Sequence, residues 1–241
     1  CVYTVHSIAD KDAGGISRGL NDYFFKRSMA TPVALTSTVK ESVSRVYGIC
    51  ECKVPVVFNG IDLGKCIQKE SYALGESIEL LHIGSFSPVK NHEGMLRAFT
   101  KIREVYPSAR LRFIGGGALM DEIKQLALSL GLGDSVIFEG TQSNVYPYLN
   151  AADLFVFPSH YEGMPMTLIE AMGSALPIVA TEVGGIPDML SNGESATLCP
   201  CDPDAIADAC IKMLGDEDLR KRLGRGALEA AQKFSADNMA A

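Results

Sequence analysis

The chain has 241 residues, of which 47% are hydrophobic and 21% are charged, and its formal net charge is −7 at pH 7. A chain of this size can bury the core of one large or two small globular domains. The acidic balance and the lack of a basic run argue against a nucleic-acid partner or a polybasic membrane anchor. No apolar run reaches the ~20 residues of a membrane span, and the first residues lack a signal-peptide pattern, so we expect a cytoplasmic protein.

The chain opens with a pattern typical of a buried strand, Val2–Val5, which ends at His6. A glycine-containing loop follows, and then a helical pattern runs from Ser17 to about Ala30. Because a complete protein rarely begins inside a strand, we expect this chain to be a fragment that lacks its N-terminal part.

Strand and helix patterns then alternate. We predict a strand over Val33–Thr36, a helix over Val39–Tyr47 that Ser37 or Thr38 caps and Gly48 ends, and a strand over Val54–Phe58. From Leu63 to Glu76 the periodicity is lost, which indicates a linker between two α/β segments. Alternating strands and helices favour a parallel sheet with helices on its faces.

The second segment repeats the strand, loop and helix unit several times. The predicted strands are Ile78–Ile83, Arg110–Ile114, Val136–Phe138, Asp153–Phe157 and Pro177–Ala180, and the predicted helices include His92–Tyr106, Leu119–Leu130 and a short one near Val145–Asn150. This repeat predicts a doubly wound α/β fold, in which ligands bind at the carboxyl ends of the strands.

Two amphipathic helices, Asp204–Leu214 and Asp216–Phe234, are predicted near the C-terminus, the second with its Arg and Lys side chains facing water. Ser235 is the expected cap of a further helix over 235–241, which we expect to be cut short. Seven cysteines without a signal peptide favour reduced thiols. Two C-x-C pairs, Cys50/Cys52 and Cys199/Cys201, leave a zinc site as a remote alternative.

The stretch from Phe157 to Gly185 carries the strongest sign of a ligand site. A strand runs into a polar loop that contains Glu162 and Gly163, and Pro165 is the expected first residue of a helix that carries Glu170. The unpaired amides of the first turn of a helix bind anions. We therefore predict an anion site with a carboxylate on either side.

Four phrases together resemble one family: FNGID at 58–62, GSFSPVKNHEG at 84–94, FIGGGAL at 113–119 and PSHYEGMPMTLIEAMGSALPIVATEVGGIPDML at 158–190. They resemble the retaining, nucleotide-sugar-dependent glycosyltransferases of family 4, which have the two-Rossmann GT-B fold. The resemblance implies that 1–62 is the C-terminal part of an acceptor-binding domain and 63–234 a donor-binding domain. It implies transfer of a sugar to an acceptor hydroxyl, without an obligatory metal or other cofactor.

The resemblance also assigns roles to single residues. It gives Glu162 to the donor sugar, Glu170 to the ribose, and Lys90 to the leaving diphosphate, whose charge an ammonium stabilises. Many members carry an arginine where this chain has Ser85, so one expected cation is absent. The remaining predicted donor-binding residues are Gly84, Ser85, Gly163, Met164, Pro165, Met166, Thr167 and Leu168.

His6 is a further member of the predicted site. It ends a strand and matches a strand-end histidine of the family, which implies a catalytic or sugar-orienting role, whereas a lone histidine is more often structural. The implied acceptor is a glycan or a lipid-linked glycan. Peripheral membrane contact would come through the missing N-terminal region.

Other interpretations remain open at this stage. The triplet Asp10-Lys11-Asp12 has the form of a metal-binding D-x-D motif, but it lies in a glycine-rich loop far from the donor motif, and no metal is predicted. Gly115-Gly116-Gly117 suggests a nicotinamide enzyme, yet the third glycine of that fingerprint is absent. A glycosidase would use Glu162 and Glu170 as acid and nucleophile, but it would leave the helix N-terminus and Lys90, which suit a phosphate, without a role. A non-catalytic sugar-nucleotide binding module is the main alternative.

Overall fold

The computed structural model describes residues 1–239 and contains two parallel sheets. A small sheet pairs β1 (Val2–Val5) with β2 (Thr31–Ala34). The large sheet has six strands, β3 (Ile78–Ile83), β4 (Ala109–Ile114), β5 (Val136–Phe138), β6 (Leu154–Phe157), β7 (Ile178–Thr181) and β8 (Thr197–Cys199). The predicted α/β class is confirmed.

The strand order of the large sheet is β5-β4-β3-β6-β7-β8. The chain winds from β3 outward to β5 and then crosses back, so that β6 pairs with β3 on its other side. The winding direction therefore reverses between β3 and β6, and a crevice forms beyond the carboxyl ends of these two strands.

Eleven helices in the described chain connect and cover the strands. They are α1 (Ala9–Asp12), α2 (Gly15–Lys26), α3 (Ser37–Tyr47), α4 (His92–Val105), α5 (Met120–Ser129), α6 (Tyr146–Ala151), α7 (Met166–Gly173), α8 (Ile186–Met189), α9 (Pro203–Gly215), α10 (Glu217–Ala231) and α11 (Ala236–Met239). Most bounds lie within two residues of the prediction, which is the usual uncertainty of helix ends.

The large sheet separates two apolar cores. Side chains that point to opposite faces alternate along each strand, so Leu80 and Val156 pack with α4, α5 and α9. Leu81 and Phe157 lie on the other face, with α6, α7 and α10. Burial on both faces explains why the central strands are nearly continuous apolar runs.

The first segment departs from the prediction in its last strand and in the N-cap of α3. A strand over Val54–Phe58 does not form, because only Val56 makes an isolated bridge to Ala34. Pro55 has no amide hydrogen to donate, which limits pairing there. The N-cap of α3 is Thr36, whose hydroxyl accepts from Val39 N at 3.2 Å, rather than Ser37 or Thr38.

The second segment contains two short elements that the sequence analysis missed, β8 and α8. Three-residue and four-residue elements are too short to show a period, and pairing with β7 defines β8. A further correction concerns α10, where Arg220 does not face water. The residue is only 4% exposed, and its guanidinium donates to the carbonyls of Tyr72, Met213 and Leu214.

The cysteines also differ from expectation. Cys50 and Cys52 form a disulfide, with 5.2 Å between their Cα atoms, whereas all seven were expected to be reduced. Residues 240 and 241 of the predicted C-terminal helix lie outside the described residues. Within the described chain, no helix is both long and apolar enough to span a bilayer.

Candidate functional site

Two loops face each other across the crevice in the large sheet. One follows β3 and runs over 84–91, and the other follows β6 and runs over 158–165. Because β3 and β6 are adjacent and parallel, their carboxyl ends deliver both loops to the same place. Lys90 and Glu162, which the sequence analysis selected separately, lie on these two loops.

Lys90 and Glu162 form an ion pair in this crevice. Lys90 Nζ lies 2.7 Å from Glu162 Oε1, and the two side chains are 17% and 10% exposed. The ammonium also lies 5.0 Å from the centre of the Phe157 ring, within the range of a cation–π contact. A charge-assisted hydrogen bond in such a sheltered place is stronger than one at the surface.

Asn91 joins the two loops by hydrogen bonds, a role that was not predicted from the sequence. It adopts a left-handed φ of 52°, which asparagine tolerates well, and its Oδ1 accepts from Gly94 N to cap α4. Its Nδ2 donates to the carbonyl of Pro158 at 3.0 Å. A second bond joins His160 N to the carbonyl of Val89 at 2.8 Å. These hydrogen bonds lie on both sides of Lys90 and hold its backbone in place.

The glycine triplet supports the loop after β3. Gly115 and Gly117 have φ values of +143° and +152°, which side chains rarely adopt. A Cβ on Gly115 would overlap the carbonyl oxygen of Gly84, and one on Gly117 would lie 2.5 Å from that of Phe86. Phe86 N in turn donates to Gly116 O at 2.9 Å. The triplet therefore lets two backbones touch, which accounts for it without a dinucleotide.

The first turn of α7 differs slightly from the predicted anion site. Pro165 is the N-cap and not the first helical residue. Leu168 N donates to Pro165 O at 3.2 Å, so the amide of Leu168 is already used. Pro165 has no N–H to donate. Of the predicted backbone amides, four donate to no other described residue, and these are the amides of Gly163, Met164, Met166 and Thr167.

Glu170 lies further along α7 and lines a cavity of about 590 Å³, whose other walls include Lys65, Asn144 and Tyr146. Burial raises the pKa of the Glu170 carboxyl. Neither Lys90 nor Glu162 lines this cavity. The two predicted acids, Glu162 and Glu170, therefore do not line the same cavity.

His6 lies beside the loop after β6. A Cβ on Gly163 would overlap the carbonyl oxygen of His6, so the end of β1 touches this loop through backbone atoms. The imidazole of His6 is exposed, and its backbone N donates to Asp12 Oδ1 at 2.9 Å. The predicted histidine therefore lies next to the predicted donor loop, although no hydrogen bond joins its imidazole to a described residue.

Two further contacts join the first segment to the large sheet. Asn59 Nδ2 donates to the carbonyl of Met164 at 3.2 Å, which places the FNG phrase under the loop after β6. Thr38 N, at the start of α3, donates to Asp188 Oδ2 at 2.9 Å.

Ser85 is exposed, and its hydroxyl lies 3.4 Å from that of Ser87. No side-chain cation occupies that position.

Two buried histidines lie beneath the loop after β3, and the sequence analysis did not single them out. His82 and His92 are 0% and 2% exposed, and their ring centres are 4.9 Å apart. The ring of His92 stacks on Phe86 at 4.1 Å. Burial, and then the charge of Lys90, lowers the pKa of His92 to about 4. Burial and the neighbouring His92 lower the pKa of His82 as well.

No group of three or more His, Cys, Asp or Glu side chains that could hold a metal ion occurs in the part of the chain that the structure describes. The two C-x-C pairs do not assemble, because Cys50 and Cys52 are bonded to each other. Cys201 Sγ lies 3.2 Å from His160 Nδ1 instead. This contact adds to those that hold the loop after β6.

Comparison with known proteins places these features in a family. The family described as Glycosyl transferases group 1 matches residues 66–230. N-acetyl-alpha-D-glucosaminyl L-malate synthase of Bacillus anthracis is 35% identical over 175 residues, which are 71% of this chain and 45% of that protein. D-inositol 3-phosphate glycosyltransferase of Streptomyces bingchenggensis is 29% identical over 87% of this chain and 50% of its own. The chain thus spans about half the length of these relatives.

Solved structures agree on the fold. HepE of Anabaena, in complex with UDP and glucose, superposes with a TM-score of 0.88 at 20% identity, over 99% of this chain and 68% of that chain. Sucrose-phosphate synthase of Thermosynechococcus elongatus gives a TM-score of 0.86 at 22% identity, over 99% and 65%. At such identities the likeness concerns the fold, which is of GT-B type. From the match over residues 66–230, the chain belongs to the glycosyl transferases group 1 family.

Proposed function

We propose that this chain contains the donor site of a nucleotide-sugar-dependent, retaining glycosyltransferase of family 4. The observation that carries the proposal is the sheltered Lys90–Glu162 pair, at 2.7 Å, between the loops after β3 and β6. It lies where the winding of the sheet reverses, beside the amides that begin α7. A cation, a carboxylate and free amides together suit a sugar diphosphate.

In this proposal the ion pair exchanges partners when the donor binds. The diphosphate takes up the Lys90 ammonium, which stabilises the charge that develops on the leaving group as the glycosidic bond breaks. Glu162 is then available to accept hydrogen bonds from hydroxyls of the donor sugar. The acceptor hydroxyl attacks on the face that the diphosphate leaves, so the configuration is retained. Its proton passes to the departing diphosphate oxygen, and His6 orients the sugar from the end of β1.

The cavity beside Glu170 is the proposed nucleoside site. Its volume of about 590 Å³ lies in the range of small-molecule pockets. The carboxylate of Glu170 would accept hydrogen bonds from the ribose hydroxyls, as acids of other nucleotide sites do. UDP in the complex of HepE supports a uridine nucleotide as the first candidate.

For the acceptor and the cellular setting, we propose classes rather than single compounds. A glycan or lipid-linked glycan, in polysaccharide or glycolipid assembly at the cytoplasmic side of a membrane, follows from the family. Small anionic acceptors are the other class, since the names of two relatives contain L-malate and D-inositol 3-phosphate. We propose that neither a metal nor another cofactor is obligatory.

A thermal-shift screen tests the donor site. UDP-, GDP- and ADP-sugars are added to the 241-residue chain, and a ligand that binds the folded state raises the melting temperature. We expect one nucleotide class to stabilise the protein, and Lys90→Met and Glu170→Gln to remove that stabilisation. Glu122→Gln, an exposed change on α5, is the matched control and should keep it. Full stabilisation of both site variants would refute the site.

A non-catalytic binding module is the second candidate, and Ser85 is the observation that favours it. The family's arginine would add a second cation for the diphosphate, and without it the leaving group is less stabilised. Donor binding and donor turnover separate the two candidates. The enzyme is supported by sugar transfer, or by slow donor hydrolysis that Lys90→Met abolishes. The module is supported by tight donor binding without turnover, also in a longer chain.

A further inference from the structure

The Asp10-Lys11-Asp12 triplet has a different role from the metal site that its sequence suggests. Asp10 lies 3.5 Å from Arg45 on α3. Asp12 accepts from the hydroxyl of Tyr3 at 3.0 Å and from His6 N at 2.9 Å. Both carboxylates are thus used within the first segment, and they hold α1 against its neighbours.

Lys11 lies between these two acids but points the other way. Its Nζ is 5.7 Å from the centre of the Tyr161 ring, in the loop after β6. Tyr161 directly precedes Glu162, and the carbonyl of His6 touches Gly163 in the same loop. Lys11 therefore reaches from the first segment across to the proposed donor loop.

The charges in the crevice make Lys11 unusual. The ammonium of Lys90 is matched by Glu162, and Ser85 carries no charge. Among the described residues, no carboxylate lies within 4.0 Å of Lys11 Nζ. Lys11 is therefore a cation beside the loop after β6 that forms no ion pair with another described residue.

Hydrogen bonds hold the backbone on either side of Lys11, although Lys11 itself is exposed. The backbone of α1 is tied down at both ends, by Ala9 N, which donates to Ser42 Oγ at 2.9 Å, and by Asp12. The aromatic ring of Tyr161 supports the lysine head group through a cation–π contact. A fixed base and a long flexible stem suit a cation that closes on an anion as it binds.

We propose that Lys11 binds an anionic group of the bound substrates, either the donor diphosphate or an acidic group of the acceptor. This inference rests on the proposed function, because it takes the loop around Glu162 as the donor loop. It assigns the second cation of the site to α1, in place of the arginine that position 85 lacks.

Calorimetric titration of the 241-residue chain tests the inference in two arms. The variants are Lys11→Met, Lys11→Arg, and Lys26→Met, a matched loss of charge on α2 where Lys26 pairs with Asp22 at 2.8 Å. The first arm titrates UDP, with uridine as the uncharged comparison. The second titrates L-malate and inorganic phosphate into protein saturated with UDP.

We expect Lys11→Met to weaken binding about fivefold to tenfold in one arm, as loss of one partly exposed charge contact would. Lys11→Arg should restore it, and Lys26→Met should leave it unchanged. Weaker UDP with unchanged uridine assigns Lys11 to the diphosphate, and weaker malate or phosphate assigns it to the acceptor.

Unchanged affinities in both arms, or an equal loss in Lys26→Met, overturn the inference. If the wild-type chain binds no UDP, the proposed function fails. Titration of L-malate and inorganic phosphate in the absence of UDP then tests by itself whether Lys11 binds an anion.

Discussion

Lys90 and Glu162 neutralise each other at 2.7 Å, although 72 positions separate them in the sequence. Removal of either partner leaves the other charge poorly solvated, because both side chains are nearly buried. We expect Lys90→Met and Glu162→Gln each to lower the free energy of unfolding by about 3 kcal/mol. The double variant should lose less than the sum, which urea denaturation of all four proteins would measure.

The control for this double-mutant cycle is an exposed ion pair. Arg97 lies 2.9 Å from Glu93 on α4, and both side chains are at least half exposed. Arg97→Met should cost less than about 0.5 kcal/mol. Strict additivity of the Lys90 and Glu162 variants would contradict the buried pair.

The close contact between Gly115 and Gly84 predicts a second stability effect. Gly115→Ala should cost about 3 kcal/mol or more, since the Cβ overlaps a carbonyl oxygen and φ is +143°. Gly131→Ala is the matched control, because Gly131 also has a positive φ, of +70°, but no atom lies within 4 Å of its Cβ position. It should cost only about 1 kcal/mol. Equal melting temperatures for the two variants would show that the loops separate without cost.

The buried guanidinium of Arg220 joins the segment before β3 to α9 and α10. It donates to Tyr72 O at 2.9 and 3.0 Å and to two carbonyls at the end of α9. Arg220→Met leaves the carbonyls of Tyr72 and Leu214 unpaired, whereas that of Met213 keeps the amide of Asp216, so we expect a loss of about 3 kcal/mol in chemical denaturation. Lys221→Met, at the exposed neighbouring position, should change stability by less than about 0.5 kcal/mol. A loss that is the same in both variants would rule out the hydrogen bonds as its cause.

The pKa of His92 predicts how stability depends on pH. The folded value, about 4, lies below the unfolded value of about 6.5 because burial disfavours the charged ring. Its contribution is therefore complete above pH ~6.5 and is lost as the pH falls towards 4, by about 3 kcal/mol in all. His92→Phe keeps the stacking on Phe86 and should flatten this part of the stability curve.

Denaturation midpoints between pH 4 and pH 8 would measure this effect. His160→Phe is the comparison, because it makes the same side-chain change at an exposed histidine. A His92→Phe variant with the wild-type slope would mean that other groups dominate acid unfolding.

Much of the large sheet could be predicted from the sequence, because its central strands are buried on both faces and read as apolar runs. The loop residues Lys90 and Glu162 came from motif phrases, and their contact follows from the adjacency of β3 and β6. That adjacency is not visible along the chain. It depends on the crossover that returns the chain from β5 to the middle of the sheet.

The two errors have different physical causes. The apolar run around Val56 looks like a strand, but Pro55 and the preceding turn allow one bridge only, and both are local features of the sequence. Arg220 has the spacing of a surface residue on an amphipathic helix, yet it is buried because carbonyl groups of other elements meet there. Tertiary partners decided the position of Arg220, and the local pattern carries no record of them.

The touching backbones at Gly163, Gly115 and Gly117 have a consequence for how such a site can change. Where two main chains meet with no side chain between them, a larger residue on one side cannot be accommodated by a smaller one on the other. These positions therefore form a fixed frame, whatever the substrate. In the proposed site, adaptation to new ligands is then left to exposed side chains around the crevice, such as Ser85 and Lys11.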